Sequence, residues 1–85
     1  MTDQFTGTVL IIDDEENLAQ AFAEALERAG CECIVATNGT DGLEQLDQQK
    51  IDLVITDLVM HPFDGMDVLR AAKRVSPESE VIVIT

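Results

Sequence analysis

Short apolar runs and amphipathic stretches alternate along this chain. Apolar runs rich in β-branched residues occur at 8–12, 33–37, 51–56 and 81–85. A continuous apolar run of this kind is typical of a strand that is buried on both faces of a parallel sheet. In the three stretches between these runs, apolar residues recur every three or four positions, which predicts amphipathic helices.

Each predicted helix has an apolar face and a signal at one end. Gly30 suits the end of the first helix, Thr40 the N-cap of the second, and Pro77 follows the third. The side chains expected to face the sheet are Leu18, Phe22, Ala25, Leu26 and Ala29 in the first helix, Leu43 and Leu46 in the second, and Val68, Leu69, Ala72 and Val75 in the third.

The predicted order is therefore β-α-β-α-β-α-β, which indicates an α/β fold with a parallel sheet and helices on both faces. Right-handed crossovers restrict the topology further. With 85 residues, the chain forms at most one small domain.

Charge and cysteine content narrow the function classes. A net charge of −12, from 17 acidic and 5 basic residues, argues against binding to nucleic acid or to anionic membranes and suits a cation site or a basic partner. Cys31 and Cys33 do not have the spacing of a redox or zinc motif and are expected to pack in or near a strand. The apolar runs are too short to cross a membrane, and no signal peptide is evident, so we expect a reduced cytoplasmic protein.

Three carboxylates follow two of the apolar runs. Asp13 and Asp14 come after the first run, and Asp57 comes after the third. Ligands of open α/β sheets bind at the carboxyl ends of the strands, so these acids would share one crevice if the two strands are neighbours. Their mutual repulsion would be offset by a divalent cation, and Mg²⁺ prefers such oxygen ligands.

A carboxylate beside such a cation can attack phosphorus and form an acyl phosphate. Asp57 is the best candidate for this nucleophile, because it ends a buried run and opens a loop, and Asp14 with Asp13 would hold the metal. Each feature also has a plain structural explanation: the acids at 13–16 suit a helix start, and Asp57 suits the start of a loop.

The segments VLIIDDEE, LVITDLVM followed by Asp64-Gly65, and VIVIT together resemble the receiver domain of bacterial two-component response regulators. The resemblance extends from Thr8 to Thr85. It implies a flavodoxin-like, doubly wound parallel sheet with strand order 2-1-3-4, in which the first and third strands are neighbours.

The resemblance also implies roles for single residues. Asp57 matches the phosphoacceptor, and Asp13 and Asp14 match the acidic pair that binds Mg²⁺ together with Asp57 and the backbone carbonyl of Val59. Thr85 matches the hydroxyl residue that contacts the phosphoryl group and switches inward. The implied phosphoryl donors are a sensor histidine kinase, a histidine phosphotransfer protein or a small acyl phosphate. The implied output is regulation, for example of transcription. The segments EVIVIT and LVITDLVM are similar to those of receivers attached to sigma-54-dependent activators.

Two features depart from the family pattern. His61 stands where the family usually has proline, and Pro62 follows one position later. The family also continues with another helix, a fifth strand that ends in an essential lysine, and a final helix. We therefore expect residues 1–85 to be a receiver domain that is incomplete at its C-terminus, with an exposed fourth-strand edge able to pair with another chain. Lys50 and Lys73 cannot replace the family lysine.

The sequence is also compatible with other functions. One is a receiver-like interaction module that is never phosphorylated in this form. Another is a Mg²⁺-dependent phosphatase with an aspartate nucleophile, but such enzymes typically carry Asp-x-Asp, whereas Leu58 and Val59 follow Asp57. A nucleotide-binding protein is disfavoured because no glycine-rich loop follows the first strand. The leading hypothesis is a phosphoacceptor switch and not an enzyme with turnover on a separate substrate.

Overall fold

The computed structural model describes residues 6–61 and 63–84. The elements alternate as the sequence predicts: β1 (Thr8–Ile12), α1 (Glu16–Arg28), β2 (Glu32–Ala36), α2 (Gly39–Gln48), β3 (Leu53–Asp57), α3 (Gly65–Val75) and β4 (Glu80–Ile84). Within these two ranges no helix has the length and the unbroken apolar sequence that crossing a bilayer requires.

The four strands form one parallel sheet in the order β2-β1-β3-β4. This order confirms the predicted topology, with the first and third strands side by side. The register places Ile12, the last residue of β1, opposite Ala36 on one side and Thr56 on the other. The ends of the two central strands therefore lie at the same edge of the sheet.

The side chains of β1 alternate between two apolar layers. Leu10 and Ile12 pack in the layer under α2 and α3, whereas Val9 and Ile11 pack in the layer under α1. All four are at most 1% exposed. Because helices cover both faces, this strand has no polar side, which explains its continuous apolar sequence.

The predicted inner face of α1 is only partly correct. Leu18 is 42% exposed, and Ala25 and Ala29 are also exposed. The residues buried against the sheet are instead Ala19 and Ala23. These small side chains let the helix backbone approach the strands closely, and the larger side chains flank them. The predicted members that do pack against this layer are Phe22 and Leu26.

The ends of some helices and strands also differ from the predicted ones. Asn38 is the N-cap of α2, and its side chain accepts a hydrogen bond from the Asp41 N–H at 2.8 Å. Thr40 lies inside the helix, so its predicted capping role is wrong. Val75, at the end of α3, is 44% exposed and does not belong to the inner face. The strand ends differ from the predicted ones by up to two residues.

The cysteines pack as the sequence predicts. Cys31 is buried in the layer under α1, and Cys33 of β2 packs against the same layer. Burial raises the pKa of the Cys33 thiol, and the nearby Glu27 carboxylate and Cys31 raise it further. A thiol with a raised pKa is a weak nucleophile, so the structure favours a packing role for Cys33.

Candidate functional site

The sheet register brings the predicted acids together. Asp13 follows Ile12, Asp57 follows Thr56, and Ile12 and Thr56 are partners across β1 and β3. Each of Asp13, Asp14 and Asp57 offers one carboxylate oxygen, and these three oxygens all lie within 4.8 Å of one another. The predicted convergence of these acids in one crevice is confirmed.

The three carboxylates differ in their surroundings. Asp13 is 4% exposed, and its Oδ1 accepts a hydrogen bond from the Glu15 N–H at 2.9 Å. Asp57 is half-buried, and its Oδ1 accepts one from the Val59 N–H at 3.3 Å. Asp14 is exposed. Backbone hydrogen bonds thus orient Asp13 and Asp57, and Asp14 is the acid open to solvent.

No basic side chain neutralises this cluster within the part of the chain that the structure describes. The ion pair found there joins Arg70 and Asp67 at 2.9 Å, both on α3, and Lys73 donates to the Ser79 carbonyl at 3.4 Å. Three carboxylates this close repel one another. A hard divalent cation with oxygen ligands offsets that repulsion, and the donor set fits Mg²⁺.

The loop after Asp57 is fixed by side-chain burial. Met60 is 3% exposed and packs in the layer under α2 and α3, whereas Val59 is 67% exposed. Met60 is therefore a packing residue of this loop, and Val59 lies at the surface beside the acids. The predicted switch residue Thr85 and the shifted Pro62 lie outside the described residues.

Gly65 also supports the site, although the sequence marks it only through the family resemblance. Its N–H donates to the Leu58 carbonyl at 2.9 Å. A Cβ at this position would lie 2.7 Å from the Asp57 carbonyl oxygen and 2.8 Å from the Leu58 Cα. Only glycine lets the start of α3 come this close to the backbone of Asp57.

Asp64 is the N-cap of α3 in a reciprocal capping box. Its Oδ1 accepts from the Asp67 N–H, and the Asp67 Oδ2 accepts from the Asp64 N–H, both at 3.0 Å. The spacing of two acids three residues apart before an apolar face is the sequence signal for this motif. The Asp64 N–H, followed by the Arg70 guanidinium, holds the pKa of the Asp67 carboxyl below its ordinary value.

This lowered pKa gives a pH-dependent prediction. Asp67 stabilises the fold above the pKa of about 3.9 that it has when unfolded, and this contribution is lost as the pH falls through the lower folded value. Asp67→Asn is therefore expected to melt at a lower temperature than wild type near neutral pH and to match it in strong acid. Thermal unfolding of both proteins across this pH range is the measurement, and a difference that does not change with pH would contradict the assignment.

Comparison with known proteins agrees with the site. Residues 9–85 match the family model of the response regulator receiver domain. The transcriptional regulatory protein GlrR of Escherichia coli is 35% identical over 77 residues, which is 91% of this chain and 17% of GlrR. The chain therefore spans about a sixth of that relative's length.

Solved structures give the same fold. The response regulator TrrA of Thermotoga maritima, in complex with Mg²⁺ and BeF, has a TM-score of 0.85 and 28% identity, over 91% of this chain and 67% of TrrA. A response regulator of Burkholderia pseudomallei, with a phosphorylated aspartic acid, a calcium ion and citrate, has a TM-score of 0.85 and 26% identity, over 95% of this chain and 46% of its own. This chain belongs to the receiver domain family of response regulators, the phosphoacceptor signalling modules of two-component systems.

Proposed function

We propose that Asp57 is the phosphoacceptor of this domain, and that Asp13, Asp14, Asp57 and the Val59 carbonyl hold the Mg²⁺ ion that the reaction needs. The observation that carries this proposal is the approach of three carboxylates to within 4.8 Å without a basic partner among the described residues. A cluster of this kind is poorly stable alone and becomes favourable when a divalent cation binds.

The residues would divide the chemistry as follows. A carboxylate oxygen of Asp57 forms a bond to phosphorus while the bond between phosphorus and the donor atom breaks, and the donor leaves with that electron pair. Bound Mg²⁺ supplies positive charge that neutralises the phosphoryl oxygens. The Val59 N–H holds Oδ1 of Asp57 and so fixes the orientation of the nucleophile. The Thr85 hydroxyl would contact the transferred phosphoryl group.

The donor would be a sensor histidine kinase or a histidine phosphotransfer protein, acting in the cytoplasm. The module would accept the phosphoryl group and would not turn over a separate substrate. The transcriptional role of the relative GlrR supports transcription as the regulated output.

We also propose that the edge of β4 pairs with a second copy of this chain. The Glu80 N–H and the Ile84 carbonyl bond to the β3 side, so the alternate residues Val81 and Val83 turn their backbone groups away from β3. Val81→Pro removes one outward donor and leaves the bonds to β3 intact. Sedimentation is expected to show a wild-type dimer that this variant loses, and a monomer at all concentrations would contradict the pairing.

Phosphorylation is tested by incubating the chain with acetyl phosphate and Mg²⁺ and measuring its intact mass. The expected result is a single labile phosphoryl adduct that needs Mg²⁺, with beryllofluoride binding to the same site. Multiple turnover of phosphomonoesters would favour an aspartate-nucleophile phosphatase. The absence of any Mg²⁺ response in calorimetry would favour an interaction module that is not phosphorylated.

A further inference from the structure

The two halves of the acidic site are carried by separate parts of the backbone. Asp57 and Val59 belong to β3 and the loop that follows it, residues 58–64. Asp13 lies at the end of β1, and its N–H donates to the carbonyl of Ala36, the last residue of β2, at 3.1 Å. Pairing of β1 with β3 sets Asp13 beside Asp57, whereas the position of Val59 depends on what holds its loop against the β2–α2 connection.

That contact is made by Gly39, the buried first residue of α2, and by Phe63. A Cβ built on Gly39 would lie 2.7 Å from the Phe63 Cβ and 2.9 Å from the Phe63 carbonyl oxygen. Both distances are shorter than normal van der Waals contact, and one of the two atoms is backbone. Any side chain at position 39 must therefore displace the loop or the start of α2.

Neither displacement can remain local. On the loop side, Met60 is buried in the core and Gly65 is hydrogen-bonded to Leu58. Because both ends of the loop are held, a shift of Phe63 also moves the short segment that includes Val59. On the helix side, Gly39 lies three residues after Ala36, which holds the backbone of Asp13. Both routes lead to groups that we assign to the metal site.

We propose that Gly39 is a positioning residue: by admitting the Phe63 backbone, it helps to set the position of the Val59 carbonyl relative to Asp13 and Asp57. This inference rests on the proposed function, since it concerns the affinity of the same site for Mg²⁺. Gly39 itself touches neither the metal nor the phosphoryl group.

Gly39→Ala is expected to weaken Mg²⁺ binding about tenfold, as loss of outer-sphere support commonly does. The matched control is Gly42→Ala on the same helix, where the three atoms nearest to an added Cβ all belong to the Ile12 side chain and none to the backbone. This control is expected to alter stability while the Mg²⁺ dissociation constant stays at the wild-type value. Titration calorimetry of the 85-residue chain with MgCl₂ measures both, and thermal unfolding records stability separately.

A second variant approaches the contact from the other side. Phe63→Gly removes the whole side chain of Phe63, including the Cβ that contacts Gly39. Because Phe63 is already 38% exposed, this change is expected to loosen the loop with little effect on the stability of the fold. It is also expected to weaken Mg²⁺ binding. If wild type binds Mg²⁺ and both variants bind it equally well, the positioning role is refuted and the proposed function stands. If wild type fails to bind Mg²⁺, the proposed function itself is refuted.

Discussion

Asp57→Asn is expected to lower phosphoryl incorporation from acetyl phosphate by a factor on the order of a thousand or more, because the carboxylate nucleophile is lost. The amide keeps the size of the side chain, and its oxygen can still accept the hydrogen bond from the Val59 N–H. The fold should therefore persist, which circular dichroism can verify. Intact mass after incubation with Mg²⁺ and acetyl phosphate reports the incorporation.

The matched control is Asp47→Asn, which makes the same chemical change at an exposed position of α2. This control should be labelled as fully as wild type. Equal labelling of Asp57→Asn and wild type would show that another residue accepts the phosphoryl group and would contradict the assignment of Asp57.

Asp14→Asn should change stability in opposite directions with and without metal. Removing one of three charges that lie within 4.8 Å relieves a repulsion of about 1 kcal/mol per pair in a water-like dielectric. The metal-free variant is therefore expected to unfold at a higher urea concentration than metal-free wild type. With Mg²⁺ present, wild type should gain stability, whereas the variant should bind the ion at least about tenfold more weakly.

Urea unfolding in EDTA and in MgCl₂ measures both effects for Asp14→Asn. Glu44→Gln, an exposed position on α2, is the control for a general reduction of the net charge of −12. If Glu44→Gln stabilises the metal-free protein as much as Asp14→Asn does, the repulsion is not specific to the cluster.

The fold could be predicted from the sequence because strands that are buried on both faces of a sheet leave a clear pattern, a continuous apolar run. After Thr8, the run at 8–12 has no polar position, and the structure shows why: Leu10 and Val9 pack into different layers. The alternation of such runs with amphipathic stretches is sufficient to predict a parallel sheet. The order of the strands came from the family resemblance, since periodicity does not specify which strands are neighbours.

The inner face of α1 is predicted incorrectly because Ala19 and Ala23 satisfy the same spacing with Phe22 and Leu26 as the predicted residues do, so spacing does not separate the two faces. Leu18 and Ala19 are adjacent in sequence, yet Leu18 is 42% exposed and Ala19 is buried. A helix that approaches a sheet closely needs alanine at the point of contact. That distance is a property of the packed structure and has no direct sequence signal.

The three acids of the site could be predicted from the sequence. The residues that hold the backbone around them could be predicted only in part. Strand ends followed by aspartate pointed to Asp13, Asp14 and Asp57, whereas Gly39 and Gly65 matter because of backbone approaches from distant parts of the chain. The capping pair of Asp64 and Asp67 did have a sequence signal in its spacing of three residues.

The most direct measurement locates the modified residue after phosphorylation. The chain is incubated with Mg²⁺ and acetyl phosphate, treated with borohydride to reduce any acyl phosphate to the alcohol, digested and analysed by tandem mass spectrometry. We predict homoserine at position 57 and at no other aspartate, and only when Mg²⁺ was present. Homoserine at another aspartate, or at position 57 without Mg²⁺, would contradict a shared acidic site that uses one cation for phosphoryl transfer.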